Sequence, residues 1–270
     1  MTGCKGGDTQ SSGGEITVVS REDGSGTRGA FIELFGVSVK EDDGSQKDMT
    51  TKEAIIANKT DVMLANIASD ANAIGYVSLG SLSESVKALS IDSVEATAEN
   101  VKNGTYKIAR PFIIATKGEA SGLAKDFIDF ILSAEGQEVV TDGYIAVGDN
   151  APAYAGTKPK GKITVAGSSS VTPVMEKLKE AYLTVNPNAA IEIQMSDSTA
   201  GMTATLEGAC DIGMTSRDLK ESELEQLTGI SIALDGIAVI VNKENPVAGL
   251  TSEQVKSIFT GETTSWDGVQ

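Results

Sequence analysis

Short apolar, β-branched runs alternate along this chain with segments whose apolar residues recur at three- and four-residue spacing. The first pattern reads as strand and the second as helix. Runs at 16–20, 73–79, 111–116, 162–166, 190–195, 211–214 and 237–242 are predicted strands. Val174, Leu178, Tyr182 and Val185 mark one predicted helix, and Leu123, Phe127, Phe130 and Ile131 another. The stretch "TSEQ", Thr251 to Gln254, reads as a capping box opening the helix "VKSIF", with hydroxyl and amide side chains meeting open backbone N–H groups. Interleaved strands and helices imply an α/β architecture. The apolar stripes are core faces. Periodicity fails at 148–161, "GDNAPAYAGTKPKG", which predicts a linker, and at 40–48, "KEDDGSQKD", which predicts a solvated charged loop.

Three strand-to-helix junctions stand out. "SREDGSGTRGAF" follows "ITVV", Gly167-Ser168-Ser169-Ser170 follows "KITVA", and Ser196-Asp197-Ser198-Thr199-Ala200-Gly201 follows "IEIQM". Each offers hydroxyls and open N–H groups at a helix N-terminus, where the aligned peptide dipoles favour negative charge. One such junction is ordinarily an N-cap. Three in one chain, at the carboxyl ends of strands of an α/β sheet, point to a shared seat for a small oxyanion, with Arg21 as a two-pronged charged contact. Neither the G-x-x-x-x-G-K-[ST] loop nor the G-x-G-x-x-G turn is present at these junctions, so a free anion is favoured over a nucleotide.

Composition narrows the class. The 270 residues suit two domains or one large one, and 38 acidic against 22 basic residues give a net charge of −16. That balance argues against nucleic acid or an anionic membrane as partner. The chain has no histidine, which removes Ser-His-Asp and Cys-His chemistry and the commonest metal ligand. A serine-nucleophile phosphatase would also need an activating base that no motif supplies. No catalytic residue, metal or cofactor is therefore expected. Of the two cysteines, Cys210 in "EGACDIGM" reads as a small core residue. Cys4, in "TGC" before the polar "KGGDTQSSGG", looks like the lipid-accepting end of a bacterial lipoprotein signal, with residues 1–14 as a mobile tether.

The motifs "ITVAGSSSVTP", "DSTAGM", "CDIGMTSRDL", "DGIAVIVN", "TSEQVKSIFTGETTSWDGV", "SREDGSGTRGAF" and "AIGYVSLGS" together resemble the periplasmic-type phosphate-binding proteins of Pst ABC transporters. The resemblance covers nearly the whole chain outside the tail and the 148–161 stretch. It implies a two-lobed, type II periplasmic-binding-protein-like α/β fold that closes over one inorganic phosphate. It further implies an ABC-transporter permease as partner, an extracytoplasmic location and a monomer. The order of the segments departs from the family, whose mature chain starts at "AGSSSV". Here "SREDGSGTRG" comes first and 148–161 joins the family's original ends, as in a circular permutation, with an engineered origin, such as a phosphate-sensor scaffold, favoured over a natural one. The resemblance then places crossovers near 107–111 and 233–236, one lobe at 108–232 and a split lobe at 15–107 plus 233–270. Its ligand positions map onto Arg21, Ser25, Gly26, Thr27, Ser169, Ser170 and Ser198. Ser216 stands where the family often carries a carboxylate that accepts the proton of phosphate. Asp197 and Asp235 are the candidates to replace that carboxylate, and a receptor for another tetrahedral oxyanion such as sulfate is the alternative reading.

Overall fold

The computed structural model describes residues 14–41, 46–148 and 150–269; Cys4 and most of the expected tether lie outside them. The strands in the first part of the chain are β1 (Thr17–Arg21), β2 (Ser38–Lys40), β3 (Gln46–Asp48), β4 (Ile55–Ala57), β5 (Ala73–Ser78), β6 (Val86–Ala88) and β7 (Ser90–Ile91). The rest are β8 (Ala109–Lys117), β9 (Gly161–Ser168), β10 (Ala189–Ser196), β11 (Ile212–Thr215), β12 (Leu227–Asn242) and β13 (Gly249–Leu250). Helices α1 (Gly26–Leu34), α2 (Thr60–Ser69), α3 (Ala98–Lys102), α4 (Gly122–Ile131) and α5 (Ala134–Val140) precede the expected linker region. Helices α6 (Thr172–Val185), α7 (Ser198–Glu207), α8 (Glu221–Leu224) and α9 (Ser252–Phe259) follow it.

One nine-stranded sheet runs β10-β9-β11-β8-β12-β5-β1-β4, with β6 also on β12. At one end β9 lies parallel to β10 and β11; at the other β1 lies parallel to β4 and β5. Two antiparallel strands join the ends. β12 pairs with β8 from Leu227 to Gly236 and then with β5 from Ile237 onward, so one 16-residue strand serves both halves. The register slips between Ser231 and Ala233, which bends the strand locally.

Each half has its own core. Phe31, Tyr76, Ile237, Val239, Phe259 and Trp266 belong to the first, where the Phe31 and Tyr76 rings stack at 3.9 Å. Phe112, Phe127, Val165, Leu178, Tyr182 and Met214 belong to the second. The predicted stripes of α4 and α6 bury Leu123, Phe127, Phe130 and Ile131, and Val174, Leu178 and Tyr182, as their spacing requires. The capping box forms: Thr251 accepts from the Gln254 amide while the Gln254 side chain accepts from Thr251 N–H. Cys210 is a buried free thiol beside Thr205 Oγ1.

The described parts of both expected loops are more ordered than their composition implies. On either side of 42–45, β2 and β3 pair antiparallel, and Asp48 meets Arg28 at 2.8 Å. At 150–160 there is no regular element, yet the segment is tied down. Tyr154 Oη and Thr157 N–H both donate to the buried Asp126 carboxylate, and Asn186 Nδ2 donates to the Pro159 carbonyl. The Tyr154 ring also meets Phe130 edge-on at 5.4 Å.

Candidate functional site

Parallel strands deliver their carboxyl ends to one edge, and here the ends of both halves meet. Arg21 closes β1, and the turn after it carries Ser25, the N-cap of α1, whose Oγ accepts from Arg28 N–H. Gly26 and Thr27 are the first residues of α1. From the other half come Ser168 at the end of β9, Ser169 and Ser170 in the turn before α6, Ser198 opening α7, and Ser216 just beyond β11. Apart from the backbone groups, these are hydroxyls, and all are buried.

Thr27, Ser168, Ser170, Ser198 and Ser216 form one connected cluster. Thr27 Oγ1 lies 2.8 Å from Ser170 Oγ and 3.3 Å from Ser216 Oγ, and Ser168 Oγ donates to Ser216 Oγ at 3.0 Å. Ser198 Oγ accepts from Ser216 N–H at 3.1 Å. Gly26 permits the closeness: a Cβ there would fall 2.4 Å from Ser198 Oγ and 2.8 Å from Ser216 Oγ. A backbone bond from Thr199 N–H to Gly24 C=O, at 3.1 Å, also crosses between the halves.

Arg21 is 2 % exposed. Its Nε and Nη2 fork onto the Glu22 carboxylate at 2.8 and 2.7 Å, so one edge of the guanidinium is already neutralised. The other edge faces the hydroxyls: Nη2 donates to Ser169 Oγ at 3.0 Å and Nη1 reaches Thr60 Oγ1 at 3.4 Å. Tyr76 Oη accepts from Arg21 N–H and bonds Ser20 Oγ, which fixes the end of β1. Burial pushes the Tyr76 hydroxyl up to about 12, so it stays protonated at neutral pH.

Two participants escape the sequence reading, and a third lies in a flagged junction without having been assigned as a ligand. Thr60 opens α2 at a fourth strand-helix junction, behind β4, where no glycine or serine run flags it. Ser168 lies one residue before the assigned pair. Arg110 is a second guanidinium, 3 % exposed, on β8, and its Nη2 donates to Thr27 Oγ1 at 3.1 Å. Arg21 is therefore not the one cation of the site.

The two candidate proton acceptors are engaged elsewhere. Asp235 is fully buried and its carboxylate holds Arg110 Nη1. Burial pushes its carboxyl up and the Arg110 guanidinium down from their ordinary values, while each charge opposes the other's shift. Asp197 caps α7 by accepting from Ala200 N–H at 2.8 Å and packs against Gly24. Ser216, at the place of the expected carboxylate, lies inside the hydroxyl cluster. The arrangement is a surface of donors: hydroxyls, amides and two guanidiniums whose charges are matched by Glu22 and Asp235. Such a surface suits a compact oxyanion. Among the described residues no group of three or more His, Cys, Asp or Glu could hold a metal ion.

Known proteins resemble this chain along nearly its whole length. Residues 7–135 and 152–269 match the family model of the PBP superfamily domain. The phosphate-binding protein PstS 2 of Streptococcus agalactiae is 54% identical over 269 residues, spanning 98% of this chain and 92% of that protein. The phosphate-binding protein PstS of Bacillus subtilis is 40% identical over 138 residues, 50% of this chain and 43% of its own length. Among solved structures, the phosphate-binding protein of a phosphate ABC transporter from Streptococcus pneumoniae TIGR4 superposes with a TM-score of 0.76 at 46% identity, covering 95% of this chain and 100% of that one. A two-lobed binding-protein fold, strand-end hydroxyls gathered around a buried arginine and full-length similarity coincide: the chain belongs to the PBP superfamily and, within it, to the PstS family.

Proposed function

We propose that this protein binds inorganic phosphate between two lobes and hands it to an ABC-transporter permease for uptake, outside the cytoplasm and without catalysis. The observation that carries this reading is the convergence of Thr27, Ser169, Ser170, Ser198 and Ser216 with Arg21 from both halves of the sheet. Gly26 contributes an open N–H group of the α1 terminus, while Ser25, whose own N–H donates to the Glu22 carbonyl at 3.0 Å, caps that terminus through its hydroxyl. The lobes of this reading are 15–107 plus 233–270 and 108–232, hinged where β8 and β12 cross; the change of partner on β12 at Gly236 supports that division. Cys4 would anchor the chain by a lipid, with residues 1–14 as tether.

The rotated segment order belongs to the same reading. The Streptococcus agalactiae relative matches throughout in one alignment, while the Bacillus subtilis relative matches over half of this chain. A natural subgroup that shares the rotated order accounts for both, and an engineered origin is not needed. Calorimetry with purified protein tests the function: inorganic phosphate should bind at one site per chain, and no heat of binding would overturn the reading.

A second ligand has one observation in its favour. Ser216 replaces the carboxylate, and Asp197 and Asp235 are bonded elsewhere, so neither candidate aspartate is free to meet the proton that distinguishes phosphate from sulfate. A hydroxyl can donate to either anion. Sulfate that displaces phosphate at comparable concentration would mark a receptor for tetrahedral oxyanions in general; sulfate without effect would return the discrimination to one of the two aspartates.

A further inference from the structure

Arg110 is anchored to β12 through one terminal nitrogen. Its Nη1 donates to the Asp235 carboxylate and to the Gly236 carbonyl at 3.1 Å, and its guanidinium carbon lies 5.0 Å from the centre of the Phe112 ring. Its Nε is buried with no partner. A buried donor without a partner costs stability, and a core filler would avoid that cost. The other terminal nitrogen, Nη2, donates to Thr27 Oγ1 at 3.1 Å.

That contact has a fixed polarity. A guanidinium can only donate, so Thr27 Oγ1 must accept from Arg110. The single Thr27 proton is then free to be given away from Arg110, toward Ser170 Oγ at 2.8 Å or Ser216 Oγ at 3.3 Å, both in the opposite half. An anion seated among these hydroxyls would take the same proton. Charge beside the acceptor lone pair also makes the hydroxyl a stronger donor.

The position matters as much as the polarity. Arg110 pairs with Asp235 in the β8–β12 ladder, one residue before β12 leaves β8 for β5. It is thus rooted where the halves join, while Thr27 lies in the first turn of α1 in one half and Ser170 and Ser216 belong to the other.

We propose that Arg110 is a positioning residue for anion binding, held at the strand crossing by Asp235 and acting through Thr27 to direct its hydroxyl proton across the cleft onto the ligand. This rests on the phosphate reading above. It predicts coupling between two side chains: without the Thr27 hydroxyl, Arg110 has nothing left to direct.

The test is a double-mutant cycle read by calorimetry with inorganic phosphate, using Arg110→Lys, Thr27→Val and both together, with Thr27→Ser as the conservative variant. A lysine ammonium can stay beside Asp235 but cannot also fork to Thr27. Arg110→Lys and Thr27→Val should each weaken phosphate binding by on the order of tenfold to a hundredfold, the range of a hydrogen bond to a charged group. The double variant should bind within about threefold of Thr27→Val, the scatter that non-interacting sites show. Thr27→Ser should restore most of the affinity. Losses that multiply in the double variant, or an Arg110→Lys protein that binds as the parent does, would overturn the proposal. If Arg110→Lys does not fold, Arg110→Gln with Asp235→Asn removes both charges together and enters the same cycle with the same expected outcomes. Failure of the parent to bind phosphate would instead strike the functional reading, so the two failures are separable.

Discussion

Substituting Gly26 by alanine should separate stability from binding. Gly26 is the first residue of α1 and has no left-handed backbone to protect, so alanine there can only help the helix, by up to about 1 kcal/mol. Closing the halves is another matter. The new methyl would fall 2.4 Å from Ser198 Oγ and 2.8 Å from Ser216 Oγ. Ser198 cannot simply rotate away, because its Oγ accepts from Ser216 N–H at 3.1 Å, and a buried amide left unpaired costs about 1–3 kcal/mol. Overpacking of this kind costs about 1–3 kcal/mol as well. Taking one of these penalties rather than both, the dissociation constant for phosphate should rise by roughly fivefold to 150-fold. Thermal unfolding with and without phosphate reads both halves of the argument. At a ligand concentration 100 times the parent's dissociation constant, binding stabilises the parent by about 2.7 kcal/mol, whereas a variant weakened 100-fold gains only about 0.4 kcal/mol. The ligand-free variant should melt no lower than the parent. Binding within twofold of the parent would refute the reasoning, since it would mean that the close approach is not part of the liganded state.

Three further outcomes follow from the same contacts. Arg21→Ala should weaken phosphate binding far more than Ser169→Ala, by about 2–5 kcal/mol, because it removes a buried charged contact and strands its partners; equal losses by calorimetry would count against its role. Asp126→Asn should lower stability by about 1.5–3 kcal/mol. Burial alone would raise the Asp126 carboxyl, but Tyr154, Tyr182 and the Thr157 amide outweigh it and hold the group below its ordinary value. The stability it confers is therefore present above the unfolded carboxylate range, near pH 4, and lost as pH falls through the lower folded value, so acid melts of parent and variant should converge at low pH. A short Gly/Ser insertion after Gly148 should leave the melting temperature nearly unchanged, at about 0.6 kcal/mol per doubling of loop length, whereas the same insertion after Gly156 should destabilise by parting Tyr154 from Thr157, which share Asp126.

Much of this was legible in the sequence wherever a feature is local. All seven strand runs lie on or within two residues of observed strands, because apolar β-branched runs between turn residues leave few alternatives. The three hydroxyl junctions were readable since each is a contiguous string at a strand end. The long first part of β12, Leu227 to Asp235, was not: Gly229, Ser231 and Asp235 interrupt its apolar run, and its pairing comes from β8, more than a hundred residues earlier in the chain. Arg110 was hidden for a similar reason. In "IARPF" it is one basic residue ahead of a proline, and only Asp235 and Thr27, both distant in sequence, make it a buried cation. Thr60 begins a helix whose N-cap, Lys59, makes no side-chain capping bond, so no local signature announced the junction. The 148–161 stretch read as a linker because tyrosine and threonine anchors carry no period; their partner, Asp126, sits on another element.

The crossing of β12 also dictates what the growing chain can do during synthesis. β1, β4, β5 and α1 emerge first, but their core is completed by Ile237, Val239, Val241, Phe259 and Trp266, which emerge last. The segment between them holds the residues of the other core, from Phe112 to Ala233. The second half can therefore consolidate as a unit while the first still waits for its central strand. The earliest-made sheet must keep an open edge on β5 until Ile237 to Val241 have left the ribosome, and that edge is where premature association with another chain would begin.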